Sequence, residues 1–282
     1  MFEELKLDLQ AFAKRVYDSI LYQSTFYNFL NMNYIGELRQ TGAPVIEIAK
    51  TDALSVNVRE TKEIQNGLDP ALTTYTHTLV DLTQLNMDYS IRVPMMITGS
   101  DITNAIQDAA DLEDSAIAEQ IDTFGYKKLA DATIDESAWA PATKEDYISL
   151  LNGLRANLFN KKVVGEYRLG LGAVEYGNLV SALTSVIKFE NVEVNGALSL
   201  GEMARVYGIR IFEINDNVLG EAVKGYFFNP IAVVGDTFFS AFVQHNNPQG
   251  YPGYIVLEGT QSFGAEVVRP EAIIRLVESP SA

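Results

Sequence analysis

Residues 99–134 read GSDITNAIQDAADLEDSAIAEQIDTFGYKKLADATI. Ile102, Ile106, Ala109, Leu112, Ala116, Ile117, Ile121 and Phe124 recur at three- and four-residue steps, the spacing of one helical face. Ser100 is placed to cap the first turn, with Asp101 just inside it. Asp108, Asp111, Glu113 and Asp114 crowd the early turns and Lys127 and Lys128 come near the end, the order that suits a helix dipole. At 1.5 Å per residue the stretch spans ~50 Å. A compact chain of this length has a radius of gyration of only about 19 Å. The helix therefore reads as a spine crossing the whole subunit. The other reading is an ordinary long core helix, broken near Gly125, because glycine costs ~1 kcal/mol in a helix interior.

Around this helix, composition sets bounds. The chain has 282 residues, 47% of them hydrophobic, which is enough for a large core in one domain or two intertwined ones. It has no cysteine, so disulfides, cysteine nucleophiles and thiolate zinc sites are excluded. The net charge is −16 and no basic stretch stands out, which argues against tight nucleic-acid binding. No run of about 18 apolar residues exists, so no membrane-spanning helix is expected. MFEELKLDLQ, at the start, carries acids and lacks the apolar core of a signal peptide.

Ahead of the spine, Leu5, Leu9, Phe12, Val16 and Ile20 share one helical face, followed by the aromatic-rich YQSTFYNFLNMNYIGEL. Two readings stand: an arm that packs on a neighbouring copy, and a helix on the chain's own core. Residues 44–95 read as two long extended limbs. Leu85, Met87, Tyr89, Ile91 and Val93 alternate with Asn86, Asp88, Ser90 and Arg92, the clearest period-two signal in the chain, and Pro94 ends it. Between the limbs, RETKEIQNGLDPALTT holds the Asn66-Gly67 turn and the Asp69-Pro70 break. A two-stranded ribbon that long is marginal alone in water, so other subunits are expected to cover it.

Behind the spine, Thr143 and Asp146 form a capping box before a helix with Tyr147, Leu150, Leu151, Leu154 and Leu158 on one face. VVGEYRLGL reads as a strand leading into a helix with Tyr176, Leu179, Val180, Leu183 and Ile187. LSLGEMARVYGIRIFEIND reads as a short helix, a break at Gly208 and a strand. The rest is strand material with a turn cluster at HNNPQGYPGY. No regular β-α-β series appears, which gives an α+β class.

Chemical motifs are few. RLGLGAVEYG follows a strand and opens a helix as a dinucleotide fingerprint would, with Gly170 and Gly172 as its first glycines. Its sixth position is Glu175, where Gly or Ala is expected, and a carboxylate there repels pyrophosphate. A tight strand-to-helix turn is the simpler account. His77 and His245 lie in different segments without metal-ligand partners at helical spacing. No catalytic residue, cofactor site or metal site is expected.

The order of segments carries a resemblance. An amphipathic arm leads to a two-limbed loop, a strand ending in YSIRVP feeds the spine, and FFNPIAVVGDTFFSAF precedes a turn and SFGAEVVRPEAIIRLV. MARVYGIRIFEIND and GAEVVRPEAIIRLV are the most specific pieces. This resembles the major capsid proteins of tailed bacteriophages, whose Hong Kong 97-type fold is shared with encapsulins and the herpesvirus capsid floor.

The resemblance implies a mapping. Residues 1–40 are an N-terminal arm, 41–97 the extended loop and its strands, and 98–159 a peripheral domain with the spine. Residues 160–240 are an axial domain, and 241–282 the returning peripheral strands with a closing axial strand. It also implies a function: hexamers and pentamers of an icosahedral head enclosing double-stranded DNA, assembled in the host cytoplasm, and no enzymatic activity. The expected assembly contacts are Leu85, Met87, Tyr89, Ile91 and Val93 on the loop, and Leu5, Leu9, Phe12, Val16 and Ile20 on the arm.

Only ~40 residues precede the loop, which points to a separate scaffolding protein, alongside a portal, or to a pro-segment outside this sequence. Lys50 and Lys62 lie on the loop, but no asparagine partner for a crosslink is identified. Two rival functions remain: an encapsulin-like compartment of the same fold, and a nucleotide-dependent enzyme using the Gly170 turn.

Overall fold

The computed structural model describes residues 23–31, 45–51, 75–94, 100–183, 202–206, 208–246, 249–250 and 253–278. Its longest element is one helix, α1 (Ser100–Asp131), of 32 residues. At ~1.5 Å per residue it is about 48 Å long. Gly125 does not break it. A Cβ at Gly125 would overlap the ring of Phe26, so the glycine lets an aromatic ring lie directly on the helix backbone. Burying that ring, worth ~1.5–3 kcal/mol, outweighs the glycine's helix penalty of ~1 kcal/mol. The inward face carries Ile117, Ile121, Tyr126 and Leu129, all buried. Ala116, expected on that face, is exposed. The helix is described from Ser100 onward, and residues 95–99, ahead of it, lie outside the described residues.

Among the described residues the strands form three sheets. β1 (Val45–Thr51) and β2 (Tyr75–Asp81) pair antiparallel in a two-stranded sheet of their own, from Val45 opposite Asp81 to Thr51 opposite Tyr75. The extended reading of 44–95 thus holds where the residues are described, but the second limb divides. Leu82, 4% exposed, marks the joint. Beyond it β3 (Thr83–Pro94) leaves the hairpin and becomes one edge of a three-stranded antiparallel sheet, in the order β3–β10–β9, with β9 (Val233–Asn246) and β10 (Tyr254–Val267).

The third sheet has six strands: β4 (Asp135–Ala138), β11 (Ile273–Val277), β8 (Val223–Phe228), β5 (Tyr167–Gly172), β7 (Ile209–Ile214) and β6 (Glu202–Val206), in that order. β4 runs parallel to β11 and β5 to β7, and the other pairs are antiparallel. The mixture fits α+β. Against this sheet pack α2 (Lys144–Asn160) and α3 (Ala173–Leu183), through Tyr147, Leu151, Leu154, Leu158, Leu179 and Leu183. Residues 135–160, which sequence order groups with the spine, therefore pack with the six-stranded sheet. The capping box at the start of α2 is present, with the Thr143 amide donating to Asp146 Oδ2 at 2.8 Å.

One element differs from expectation. The helix read before Gly208 is strand β6. Val206 pairs with Ile209 across a two-residue turn, and Gly208 supplies the positive φ of 80° that turn needs. Pairing along β7 overrides the helical preference of Glu202, Met203, Ala204 and Arg205.

The centre of the molecule is aromatic. Phe26, Tyr27, Phe29 and Leu30, on a 3-10 turn at Phe26–Phe29, are completely buried. Phe29 stacks on Phe228 at 3.8 Å and meets Phe212, Tyr226 and Tyr126 edge-on. Phe26 and Tyr27 lie against Phe263 of β10. The segment thus sits between α1, the three-stranded sheet and the six-stranded sheet. The described part of the aromatic-rich piece, residues 23–31, serves the chain's own core. The arm residues Leu5, Leu9, Phe12, Val16 and Ile20 lie outside the described residues.

Candidate assembly surfaces

A shell subunit needs a stiff body and outward surfaces that other copies can cover. The stiff body is built around residues 23–31. Asp122, on the inward side of α1, is 7% exposed. It accepts from Ser24 Oγ at 2.5 Å, Thr25 Oγ1 at 2.8 Å, and the amides of Phe26 at 2.9 Å and Thr25 at 3.1 Å. Burial pushes the Asp122 carboxyl up, and these hydrogen bonds pull it back only in part. Arg168 of β5 donates through Nη1 to the Asn28 carbonyl at 2.6 Å, tying the same segment to the six-stranded sheet. The Asn31 amide donates to Val233 O at 2.9 Å, tying it to β9.

The far end of the spine is held just as directly. Arg275 of β11 donates through Nη2 to the carbonyls of Leu129 and Ala130, each at 2.8 Å, and of Ala132 at 3.3 Å. Its Nη1 donates to Glu136 Oε1 at 3.0 Å. A cation thus satisfies orphan carbonyls at the negative end of the helix dipole. Spine, residues 23–31 and six-stranded sheet are tied together by these charged and hydrogen-bonded groups.

Asp122, Arg168 and Arg275 are the residues that sequence reasoning missed. Each acts across a long separation, 97 residues from Thr25 to Asp122. The only local signal is a pair of hydroxyl residues, Ser24 and Thr25, just ahead of buried aromatics.

β1 and β2 have no third strand among the described residues. β3 pairs with β10 along one side, Leu85 opposite Phe263, Met87 opposite Gln261, Tyr89 opposite Gly259, Ile91 opposite Leu257 and Val93 opposite Ile255. All five loop-face residues stand at alternate positions of one strand. Leu85 and Met87 are half-buried, and Gln84, Asn86, Asp88, Ser90 and Arg92 are exposed, as the alternation requires. Met87 packs against the chain's own core. Asp88 and Asn86 accept from Thr260 Oγ1 and Ser262 Oγ, each at 2.7 Å, the first pair exposed and the second half-buried.

The glycine-rich turn is a strand-to-helix junction. A Cβ at Gly170 would overlap Ile214 and Phe212, so that glycine serves close packing of β5 on β7. The space over Gly172 is taken by the carboxylate of Asp216. Glu175 lies 3.8 Å from Lys224 Nζ and accepts from Trp139 Nε1 at 3.3 Å. A carboxylate occupies the place where a phosphate would sit, which disfavours the nucleotide reading. His77 is on β2 and His245 on β9, in different sheets. His245 Nε2 lies 3.3 Å from Glu258 Oε2 on an exposed face. Among the described residues no group of three metal-ligating side chains converges and no helix is long and apolar enough to cross a membrane.

No family model matches the sequence, and no curated protein matches it. Solved structures do. The chain is similar to a structure from Mycobacterium phage Che8 at 17% identity, over 90% of this chain and 91% of that one, with a TM-score of 0.55. It is similar to the capsid of cyanophage P-SCSP1u at 14% identity, over 85% and 84%, with a TM-score of 0.57. It is similar to a virus-like particle from Pyrococcus furiosus at 11% identity, over 93% and 98%, with a TM-score of 0.50. At these identities the likeness is one of fold. The chain has the α+β fold of phage capsid subunits, the Hong Kong 97-type architecture expected from the sequence.

Proposed function

We propose that this protein is the major shell subunit of a tailed-phage head, forming hexamers and pentamers of an icosahedral capsid around double-stranded DNA. The observation that carries the reading is the β1–β2 hairpin. Among the described residues the seven residues of each strand pair only with each other, and a two-stranded sheet is marginal at best alone in water. A neighbouring copy supplies the missing surface. The five odd-numbered residues of β3, Leu85 to Val93, contribute to that contact where the chain's own core leaves them uncovered. Leu5, Leu9, Phe12, Val16 and Ile20 form the arm's contact face. Each contact is weak, and the shell holds because each subunit makes several at once.

In domain terms, α1 with the three-stranded sheet is the peripheral domain. The six-stranded sheet with α2 and α3 is the axial domain near the capsomer centre. Scaffolding and portal proteins are separate partners, assembly takes place in the host cytoplasm, and the finished protein resides in the virion. The net charge of −16 fits a wall that encloses DNA without gripping it. Empty shells that bound duplex DNA with a steep salt slope would contradict this part.

A second reading has its own support. The Pyrococcus furiosus particle matches over 93% of this chain and 98% of its own. That favours an encapsulin-like compartment as the alternative shell. Electron microscopy of the purified full chain tests the shared prediction of closed icosahedral particles. Particles with a packaged genome select the phage head, and small particles holding a co-purifying cargo protein select the compartment. A monodisperse monomer at high concentration overturns both.

A further inference from the structure

Two unlike surfaces stand at opposite ends of β5. Ahead of the strand, Phe159 is 62% exposed and Val164 70% exposed, on the last turn of α2 and the bend behind it. Lys162 lies between them in sequence, exposed, with a left-handed φ of 62°. Nearby Lys161 pairs with Asp135, and Glu166 is shared by Arg168 and Arg210. The result is an apolar knob with a basic accent. Beyond the strand, Val174 is 65% exposed on the rim of a groove of about 330 Å³. Gly172, Leu219 and Val223 form its apolar lining, and Glu175, Asp216 and Glu221 its carboxylates, against the one cation Lys224. Lys224 is itself shared by Glu175 and Glu278, each at 3.8 Å, so the groove stays acidic.

β5 alone separates these surfaces by ~17 Å, so the chain cannot bring its own knob to its own groove. Between copies the match is available: apolar side chains against an apolar floor, and Lys162 against an acidic rim. An interface of two unlike patches is heterologous, and a heterologous contact repeated about an axis makes a ring where the rotation closes and an open filament where it does not.

We propose that the Phe159–Val164 knob of one copy seats in the Val174–Asp216 groove of the next, and that this contact builds the rings of the capsomers. The assignment rests on the shell-subunit reading and names the surfaces that serve it on the six-stranded sheet.

The absence of native cysteine makes the test clean. The full chain carrying Val164→Cys and Val174→Cys is assembled, treated with a short bis-maleimide, and dissolved in denaturant on a gel. A ladder of covalent oligomers that ends at five and six copies is expected, while either single variant gives no ladder. Shells whose subunits stay uncrosslinked overturn the contact and leave the shell reading intact. A ladder from rings that never close into particles supports the contact and overturns the shell reading. A chain that remains monomeric overturns both. Independently, Phe159→Asp is expected to lower capsomer yield by ~10-fold or more with an unchanged unfolding midpoint, because the side chain is solvent-exposed in the single copy. Undiminished yield from that variant overturns the assignment of the knob.

Discussion

The wedge at residues 23–31 and the β1–β2 hairpin are both short segments tied to the body by few covalent links, yet they end in opposite situations. The wedge meets partners on every side: a carboxylate from the spine, an arginine from β5, a carbonyl from β9, and aromatic rings from both larger sheets. The hairpin's strands have only each other among the described residues. The difference separates two jobs. Interactions that close within one chain make a rigid tile, and a sheet too narrow to stand alone is a request for another tile. Changes in the first region should therefore act on folding, and changes in the second on assembly.

The sharpest way to break this division is to remove the loop. Thr51 and Tyr75 are direct partners, so an Asn-Gly turn joining them closes a two-residue hairpin in place of residues 52–74. Loss of all shells with no change in the urea midpoint of the monomer is expected. Normal shells would show that residues 52–74 are not an assembly element, while the β1–β2 pairing itself is retained in this variant. Tyr89→Asp probes the same side at the β3 face. Blocked or weakened assembly is expected, and normal shell yield would remove that face from the contact set.

The mirror-image change is Phe29→Ala. The ring is completely buried and stacked on Phe228 at 3.8 Å. Its loss should cost about 3–5 kcal/mol by denaturant unfolding. A cost under ~1 kcal/mol would mean that the wedge is not the centre it looks to be.

Much of this division was legible in the sequence, for a physical reason. The spine announced itself because a helix repeats its pattern locally, and β3 did so because a half-buried strand alternates polar and apolar residues. What could not be read is how one segment divides its partners. The run Leu85, Met87, Tyr89, Ile91, Val93 reads the same whether its apolar side meets another subunit or the chain's own helix. The structure places at least Met87 on the chain's own core. The strand β6 was unreadable because Glu202, Met203, Ala204 and Arg205 prefer a helix in isolation, and only the neighbouring β7 overrules them. Asp122 and Arg275 were unreadable because the groups they satisfy lie about a hundred residues away or more.

Gly125 sharpens the comparison at a single atom. By helix propensity alone, Gly125→Ala should stabilise α1 by ~1 kcal/mol. In this fold the added methyl overlaps the Phe26 ring, which is fully buried and has no room to withdraw. Net destabilisation of about 1–3 kcal/mol is expected from thermal or urea unfolding. Pairing it with Phe26→Leu should recover part of that loss. Stabilisation by the single variant would mean that the ring does not press on the helix.

The smallest effect belongs to the start of α2, on the outer side of the tile. Asp146 accepts from the Thr143 hydroxyl at 2.9 Å and from the amides of Thr143 at 2.8 Å and Ala142 at 3.2 Å. These hydrogen bonds, the Thr143 hydroxyl first, hold its carboxyl below the usual carboxylate range. A carboxyl whose pKa is lower in the folded chain adds stability above its unfolded value, and loses that contribution as pH falls through the folded value. Asp146→Asn should therefore melt slightly below the parent chain at neutral pH. The gap should close as both are titrated into acid, since protonated Asp146 no longer outperforms the amide. A gap that stayed constant from neutral to acid pH would show that the capping box contributes through packing and not through charge. Because Asp146 lies in the first turn of α2, ~20 Å along the helix from Phe159, shell formation by this variant should match the parent at any pH where both remain folded.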